Sequence, residues 1–185
     1  MYVSHKLRCV YMAVPRTASR SVSTWLKEEH AGRGINQKAA MGSHHGISMP
    51  TLVTCKKMGY KIICPVRNPW DVIVSWWHHN PRWFGADNEE FAKFVEWFPK
   101  HGKNKYLDEG RLYWYWAQHS TRIVRYERLR QDLARILRVP INLPSIGVSD
   151  RRPYHTYYTP ELRDYVGEKF APEIEEYGYS FQEVE

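Results

Sequence analysis

Val10-Tyr-Met-Ala-Val-Pro-Arg-Thr-Ala-Ser-Arg-Ser-Val-Ser-Thr-Trp-Leu26 joins a short apolar run to a turn and a helical pattern. The run from Cys9 to Val14 has the length and composition of a buried strand. Pro15 ends that strand, because proline has no N–H to give to a sheet. Three apolar residues between Val22 and Leu26 then recur at i, i+3 and i+4, which is typical of one helix face. The stretch therefore predicts a strand, a tight turn and a helix.

The turn carries two cations and three hydroxyls at the start of the helix. Arg16 and Arg20 lie beside the helix start, and Thr17, Ser19 and Ser21 offer hydroxyls that we expect to cap it. A helix N-terminus presents unpaired N–H groups and the positive end of a dipole, so it suits an anion. The pattern indicates a phosphate or sulfate site. The alternative is a surface turn that carries two arginines without a ligand.

The turn lacks the glycines and the lysine of Gly-x-x-x-x-Gly-Lys-Ser/Thr, the phosphate loop of common nucleotide hydrolases. Pro15-Arg-Thr-Ala-Ser-Arg-Ser21 instead resembles the 5′-phosphosulfate loop of sulfotransferases that use 3′-phosphoadenosine-5′-phosphosulfate (PAPS), Pro-Lys/Arg-Thr/Ser-Gly-Gly/Thr-Thr-Ser. Arginine in the lysine place is similar to the tyrosylprotein branch, and the glycines of the family are missing. The resemblance implies a catalytic role for Arg16 beside the bridging oxygen. It also implies donor binding by Arg16, Thr17, Ala18, Ser19, Arg20 and Ser21.

A second segment carries another phosphate motif. Val66-Arg-Asn-Pro-Trp-Asp-Val-Ile-Val-Ser75 resembles the 3′-phosphate segment of the same family, Arg-Asn/Asp-Pro-x-Asp-x-x-x-Ser, with Arg67 eight residues before Ser75. An Asn-Pro turn would start a helix there, and the arginine fork and the serine hydroxyl would bind a phosphate. The alternative is an Asn-Pro turn before a core helix. Arg16 and Arg67 each follow a predicted strand, and ligands of parallel sheets bind at the carboxyl ends of strands, so we expect one site.

The rest of the chain alternates strands with helices. We expect strands at 60–66 and 121–126, and helices at 49–58, 70–79, 89–98, 127–138, 160–170 and 172–178. This pattern predicts the α/β class, with a central parallel sheet flanked by helices and a P-loop-like strand–turn–helix at the N-terminus. Residues 1–185 are expected to form a single sulfotransferase-like domain. Residues 80–119 do not follow this alternation of strands and helices, and we interpret them as an insertion on the acceptor side.

Composition narrows the class of protein. Among the 185 residues, 43% are hydrophobic and 25% charged, which is ordinary for a soluble globular chain. The formal net charge of +7 favours an acidic partner, which includes nucleic acid, an anionic membrane or a multiply charged small molecule. Cys9, Cys55 and Cys64 show no C-x-x-C spacing and are expected to be reduced thiols. No apolar run approaches a membrane span and no signal peptide is evident, so we expect a cytoplasmic protein or a trimmed form of an anchored one.

A histidine pair offers a base. Gly42-Ser-His-His-Gly-Ile-Ser48 lies between the two phosphate motifs, and a neutral imidazole suits proton removal at neutral pH. The His-x-x-Ser/Thr pattern of the resembled family favours His45, with His44 second; the alternative is an exposed loop pair. Adjacent histidines in a helix point in different directions. We therefore expect no metal site formed by His44 and His45 together with His78 and His79. Other candidate bases are Glu28, Glu29, Asp71, His78 and His79.

The resemblance implies a sulfotransferase that moves a sulfuryl group from PAPS to a hydroxyl acceptor, leaves PAP as product and requires no metal. The expected acceptor is a carbohydrate or a small hydroxylated metabolite, since 15% of the residues are aromatic and such side chains line sugar-binding clefts. No nucleic acid is expected, and the sequence makes no prediction of oligomeric state. Two alternatives stay open: a nucleotide kinase or P-loop hydrolase, and a basic nucleic-acid-binding module.

Overall fold

The computed structural model describes residues 1–35, 47–79, 88–101 and 111–181. Its residues divide into two units. The first comprises Met1–Val66 and Trp116–Val148, and the second comprises Arg67–Tyr115 and Ser149–Glu185. The expectation of one sulfotransferase-like domain over the whole chain stays a prediction.

The first unit contains a five-stranded sheet with the order β3-β1-β2-β4-β5. The strands are β1 (Tyr2–Ser4), β2 (Cys9–Tyr11), β3 (Arg33–Gly34), β4 (Lys61–Val66) and β5 (Arg122–Arg125). β2, β4 and β5 pair in parallel, whereas β1 pairs antiparallel with β2 and with β3. The predicted α/β class is confirmed, and the three parallel strands form one side of a mixed sheet, with β5 at its edge.

The interior strand β4, the longest of the sheet, follows from its sequence. Ile62–Val66 is an uninterrupted buried run, as expected of a parallel strand covered on both faces. Gly59, at φ +74°, separates the strand from the preceding helix in a conformation that glycine adopts without a Cβ clash. In register, Val10 lies opposite Ile62, and Ile63 lies opposite Arg122. The carboxyl ends of β2 and β4 therefore lie at the same edge of the sheet.

Helices of the first unit pack on this sheet. They are α1 (Ser19–His30), α2 (Met49–Lys57) and α6 (Leu129–Leu137), the last preceded by a 3₁₀ turn at Tyr126–Arg128. Trp25 and Leu26 of α1 and Leu133 of α6 are buried in one cluster with Ile63 and Val124 of the sheet. The apolar face predicted for the first helix is thus its core face.

Aromatic side chains hold the second unit together. Its helices are α3 (Pro69–Trp77), α4 (Asn88–His101), α7 (Pro160–Lys169) and α8 (Ala171–Tyr177). The boundary at which the chain returns to the first unit falls within the short helix α5 (Trp114–Ala117). The ring centroid of Trp77 lies 5.7 Å from Phe91 and 5.3 Å from Phe94. Within the described residues, none of the helices has both the length and the apolar character that a membrane crossing requires.

Candidate functional site

The loop after β2 takes an unusual backbone conformation. Arg16 has φ 64° and Ala18 has φ 59°, so both lie in the left-handed region although neither is glycine. Non-glycine residues occupy that region rarely and at a cost of about 1–3 kcal/mol each. Thr17 is fully buried, and its Oγ1 donates to the Val14 carbonyl at 2.9 Å. The side chain of Thr17 thus closes the turn onto the end of the strand.

The N-terminus of α1 is not capped as expected. Ala18 is the N-cap residue and makes no side-chain cap hydrogen bond, so the prediction of a hydroxyl cap is wrong. The physical reason is that two of the three hydroxyls have other partners. The Thr17 hydroxyl donates to Val14, and the Ser21 Oγ accepts the N–H of Ile146 at 3.3 Å. Helix N–H groups without a side-chain cap are the feature that binds anions.

The remaining predicted loop residues differ in exposure. Ser19 is buried, Arg16 is partly buried and Arg20 is exposed. A Cβ built on Gly147 would lie 3.2 Å from Nη1 of Arg20, so that guanidinium passes close to the Gly147 backbone. The segment around Ile146 and Gly147 therefore contacts the start of α1 at two positions. Nothing in the sequence associates this segment with the loop, because 125 residues separate Ile146 from Ser21.

The second motif has the predicted turn and helix. Asn68 is the N-cap of α3: its Oδ1 accepts the N–H of Trp70 at 3.0 Å, and Pro69 occupies the first turn. The Nδ2 group of Asn68 donates to the Ser180 carbonyl at 3.0 Å, and the Tyr113 hydroxyl donates to the Arg67 carbonyl at 2.7 Å. These contacts fix the backbone at the arginine. The turn and the helix are confirmed.

Arg67 and Asp71 form a buried ion pair. Arg67 is 5% exposed, and its Nε and Nη2 lie 2.8 and 2.7 Å from Oδ2 of Asp71. Nη2 of Arg151 donates to Oδ1 of the same carboxylate. One carboxylate thus lies between two guanidinium groups, and the cluster keeps one net positive charge. Because both oxygens of Asp71 accept from arginine, its geometry is that of a positioning group and not of a base.

Ser75 lies one turn beyond Asp71 on α3 and is 2% exposed. Residues four apart share one face of a helix, so Asp71 and Ser75 face the same side. In the sequence, the i, i+4 spacing of Arg67 and Asp71 already indicated that these two side chains could form an ion pair. Arg151 gave no such signal, since it lies 80 residues from Asp71 along the chain.

The histidine candidates fall into two groups. His44 and His45 lie outside the described residues. His78 is partly buried on the second unit, and its Nε2 lies 2.9 Å from the Tyr157 hydroxyl oxygen. Burial, and next the charges of Arg151 and Arg152, lower the pKa of His78, so its imidazole is neutral at neutral pH. No group of three or more possible metal ligands occurs among the described His, Cys, Asp and Glu residues.

A family model described as a sulfotransferase domain matches residues 7–141. The matched range includes both the loop after β2 and the segment from Arg67 to Ser75. Comparison with curated proteins and with solved structures finds no match.

Proposed function

We propose, for a chain that belongs to the sulfotransferase family, that its reaction moves a sulfuryl group from PAPS to a hydroxyl group of an acceptor. The family supports sulfuryl transfer in general. The main support for PAPS as the sulfuryl donor is the left-handed turn at Arg16 and Ala18, which precedes a helix N-terminus without a side-chain cap. Successive N–H groups of such turns form anion-binding concavities.

The 5′-phosphosulfate is assigned to this turn. The first N–H groups of α1 and the positive end of its dipole favour a doubly charged group there. Arg16, Thr17, Ala18, Ser19, Arg20 and Ser21 are the proposed contacts. In this assignment Thr17 and Ser21 contribute backbone N–H groups, because their hydroxyls hold Val14 and Ile146.

The 3′-phosphate is assigned to the second motif. Asp71 binds the Nε–Nη2 edge of Arg67, so the arginine contributes chiefly its positive charge to the phosphate. Ser75 adds a hydroxyl. The structure also offers Arg151, held by the same carboxylate. Two arginines with one shared carboxylate leave a net positive charge that an anionic phosphate would complement.

Chemically, the acceptor oxygen attacks sulfur while the bond from sulfur to the bridging oxygen breaks, and PAP departs with the electron pair. Arg16 is the proposed donor to that oxygen, where negative charge grows in the transition state. His45 takes the acceptor proton, with His44 as the second choice. The proposal assigns no metal a role.

A carbohydrate acceptor, or a small hydroxylated metabolite, is proposed as the second substrate. The supporting feature is Trp114, which is 40% exposed and has the Arg111 guanidinium 5.3 Å from its ring centroid. An exposed indole ring packs on the apolar face of a sugar. The Arg111 guanidinium also pairs with Glu176 at 3.1 Å, so the indole ring is the main support for a sugar acceptor.

The base assignment is tested by single-turnover transfer from labelled PAPS to a panel of sugars and phenols. His45→Ala should keep its affinity for PAP and lose turnover by about a hundredfold or more, as expected for a general base. The acid limb of the pH–rate profile should also disappear in this variant.

His44→Ala is the matched control and should retain turnover. An inactive His44→Ala beside an active His45→Ala moves the base by one residue. Losses below about tenfold in both variants exclude a histidine base from this loop. Absence of transfer from PAPS in the unmodified protein, over the whole panel, would contradict the proposed donor.

A further inference from the structure

A basic cleft lies at the amino ends of two parallel strands in the first unit. Its volume is about 630 Å³. Four cations and two aliphatic side chains line it: Lys61, Arg122, Ile123, Arg135, Ile136 and Arg138. None of these residues belongs to either phosphate motif.

The fold places these cations together. Lys61 is the first residue of β4, and Arg122 is the first residue of β5, its parallel neighbour. Arg135 lies in the last turn of α6, and Arg138 is its C-cap in the left-handed conformation, at φ 58°. A helix C-terminus carries a partial negative charge, which favours cations at that end.

The positive charge of the cleft is only partly balanced. Asp132 pairs with Arg135 at 2.9 Å, and its other oxygen accepts the N–H of Arg125. Within the described part of the chain, no carboxylate forms an ion pair with Lys61, Arg122 or Arg138. Like charges around one cleft repel each other, and an anion with several charges would relieve this repulsion.

The cleft is separate from the loop that follows β2. Lys61 and Arg122 begin their strands, whereas Pro15–Ser21 follows the carboxyl end of β2, a parallel neighbour of β4. β4 has six residues, and strands rise about 3.3 Å per residue, so the two edges of the sheet are roughly 20 Å apart. One small anion cannot contact both regions.

We propose that this cleft binds an acidic polysaccharide, with its sulfate or carboxylate groups on the guanidinium forks and its sugar rings on Ile123 and Ile136. The described residues that line the cleft include no aromatic ring. Single-stranded nucleic acid is bound mainly by stacking of its bases on such rings, which disfavours it here. Sulfate and carboxylate groups spaced along a sugar chain match separate arginines with bidentate donors.

The test measures binding of a size-defined heparin oligosaccharide to the whole chain at several salt concentrations. The double variant Arg122→Thr with Arg138→Asn removes two exposed cations; threonine suits a strand, and asparagine tolerates the left-handed conformation. We expect affinity to fall about tenfold or more, and the slope of log affinity against log salt to fall by about 2.

Arg33→Thr with Arg128→Asn is the matched control, since both residues are exposed and neither lines the cleft. It should change affinity much less, and Lys61→Gln should repeat the loss in part. Equal losses in the two double variants would overturn the proposal. So would displacement of heparin by PAP, or tighter binding of an oligonucleotide of equal charge. Because the assay involves no transfer, its failure leaves the proposed reaction untouched.

Discussion

Ala18 shows how the loop after β2 is built. It occupies the place where the resembled sulfotransferase motif has glycine, and it keeps φ 59°, a conformation that costs an L-residue about 1–2 kcal/mol. The neighbouring Arg16 repeats this at φ 64°. The turn therefore keeps a glycine-like backbone without glycine. The strain is offset by the Thr17 side chain, which is fully buried and bonded to Val14.

Replacing Ala18 with glycine tests this strain. We expect Ala18→Gly to raise the free energy of unfolding by about 0.5–1 kcal/mol, because the relief of strain exceeds the added entropy of the unfolded chain. Urea unfolding measures the change. Ala134→Gly, within helix α6, is the control and should lower it by about 1 kcal/mol. Equal destabilisation by both substitutions would show that Ala18 is not strained.

Asp71 is a single residue on which the stability of a buried charge cluster depends. The side chains of Arg67, Asp71 and Arg151 are 6%, 13% and 13% exposed, so three ionised groups lie largely out of water and depend on one another. Removal of the central carboxylate takes from both guanidinium groups the negative charge that they share. Such a loss is costly in a buried pair.

We predict that Asp71→Asn lowers the free energy of unfolding by about 3 kcal/mol. Glu28→Gln, at an exposed position of α1, should change it by less than about 0.5 kcal/mol. Both are measured by urea unfolding at neutral pH. A fully stable Asp71→Asn that has lost transfer would instead support Asp71 as the base.

At the scale of elements, the long apolar patterns predicted the structure best. The central strand and the helices after both phosphate motifs are present, because long buried runs and turns with proline or asparagine are strong local signals. β1 and β3 were missed, since three and two residues are too few to show a period. Arg151 and the Ile146–Gly147 contact were missed as well, because they depend on tertiary packing.

Helix α8 carries a buried acid that the motifs do not use. Glu173 is 2% exposed, and its Oε1 accepts the Tyr113 N–H at 2.8 Å, while its Oε2 has no partner among the described residues. Burial raises the pKa of Glu173 from 4.5 to about 7. The folded protein therefore binds more protons than the unfolded chain between these pH values. Its stability falls as the pH rises through that window, by up to about 3 kcal/mol.

Glu173→Gln should remove this pH dependence. The amide keeps an oxygen for the Tyr113 N–H but carries no charge, so the variant should be more stable than the unmodified protein at pH 8 and similar to it near pH 4.5. Urea unfolding across this range measures the effect. Glu175→Gln, at an exposed position of the same helix, should leave the slope unchanged. A slope that persists in Glu173→Gln would contradict the assignment.

At the scale of the whole molecule, the formal net charge of +7 is spread over several regions with different roles. Arg16 lies in the loop after β2 and Arg20 at the start of α1, and Arg67 belongs to the second motif. Lys61 and Arg122 belong to the basic cleft, at the other edge of the sheet. Composition alone predicted an acidic partner, and the proposals above assign separate groups of these cations to separate anions. The pairing of Asp71 with Arg67 and Arg151 shows that part of the charge is structural.

The proposed function requires that this chain bind a nucleotide with both a 5′- and a 3′-phosphate. Thermal unfolding with PAP or with ADP, in the absence of metal, tests it most directly, because a ligand of the folded state raises the melting temperature. Loss of a charge-assisted contact costs about 1.5–3 kcal/mol, so PAP should bind roughly tenfold to a hundredfold more tightly than ADP.

Ser75→Ala should reduce the preference for PAP over ADP, whereas Ser23→Ala, at a buried serine of α1 that lies outside both motifs, should not. We expect a clear rise of the melting temperature with PAP and a much smaller rise with ADP. Equal shifts with the two nucleotides would contradict it.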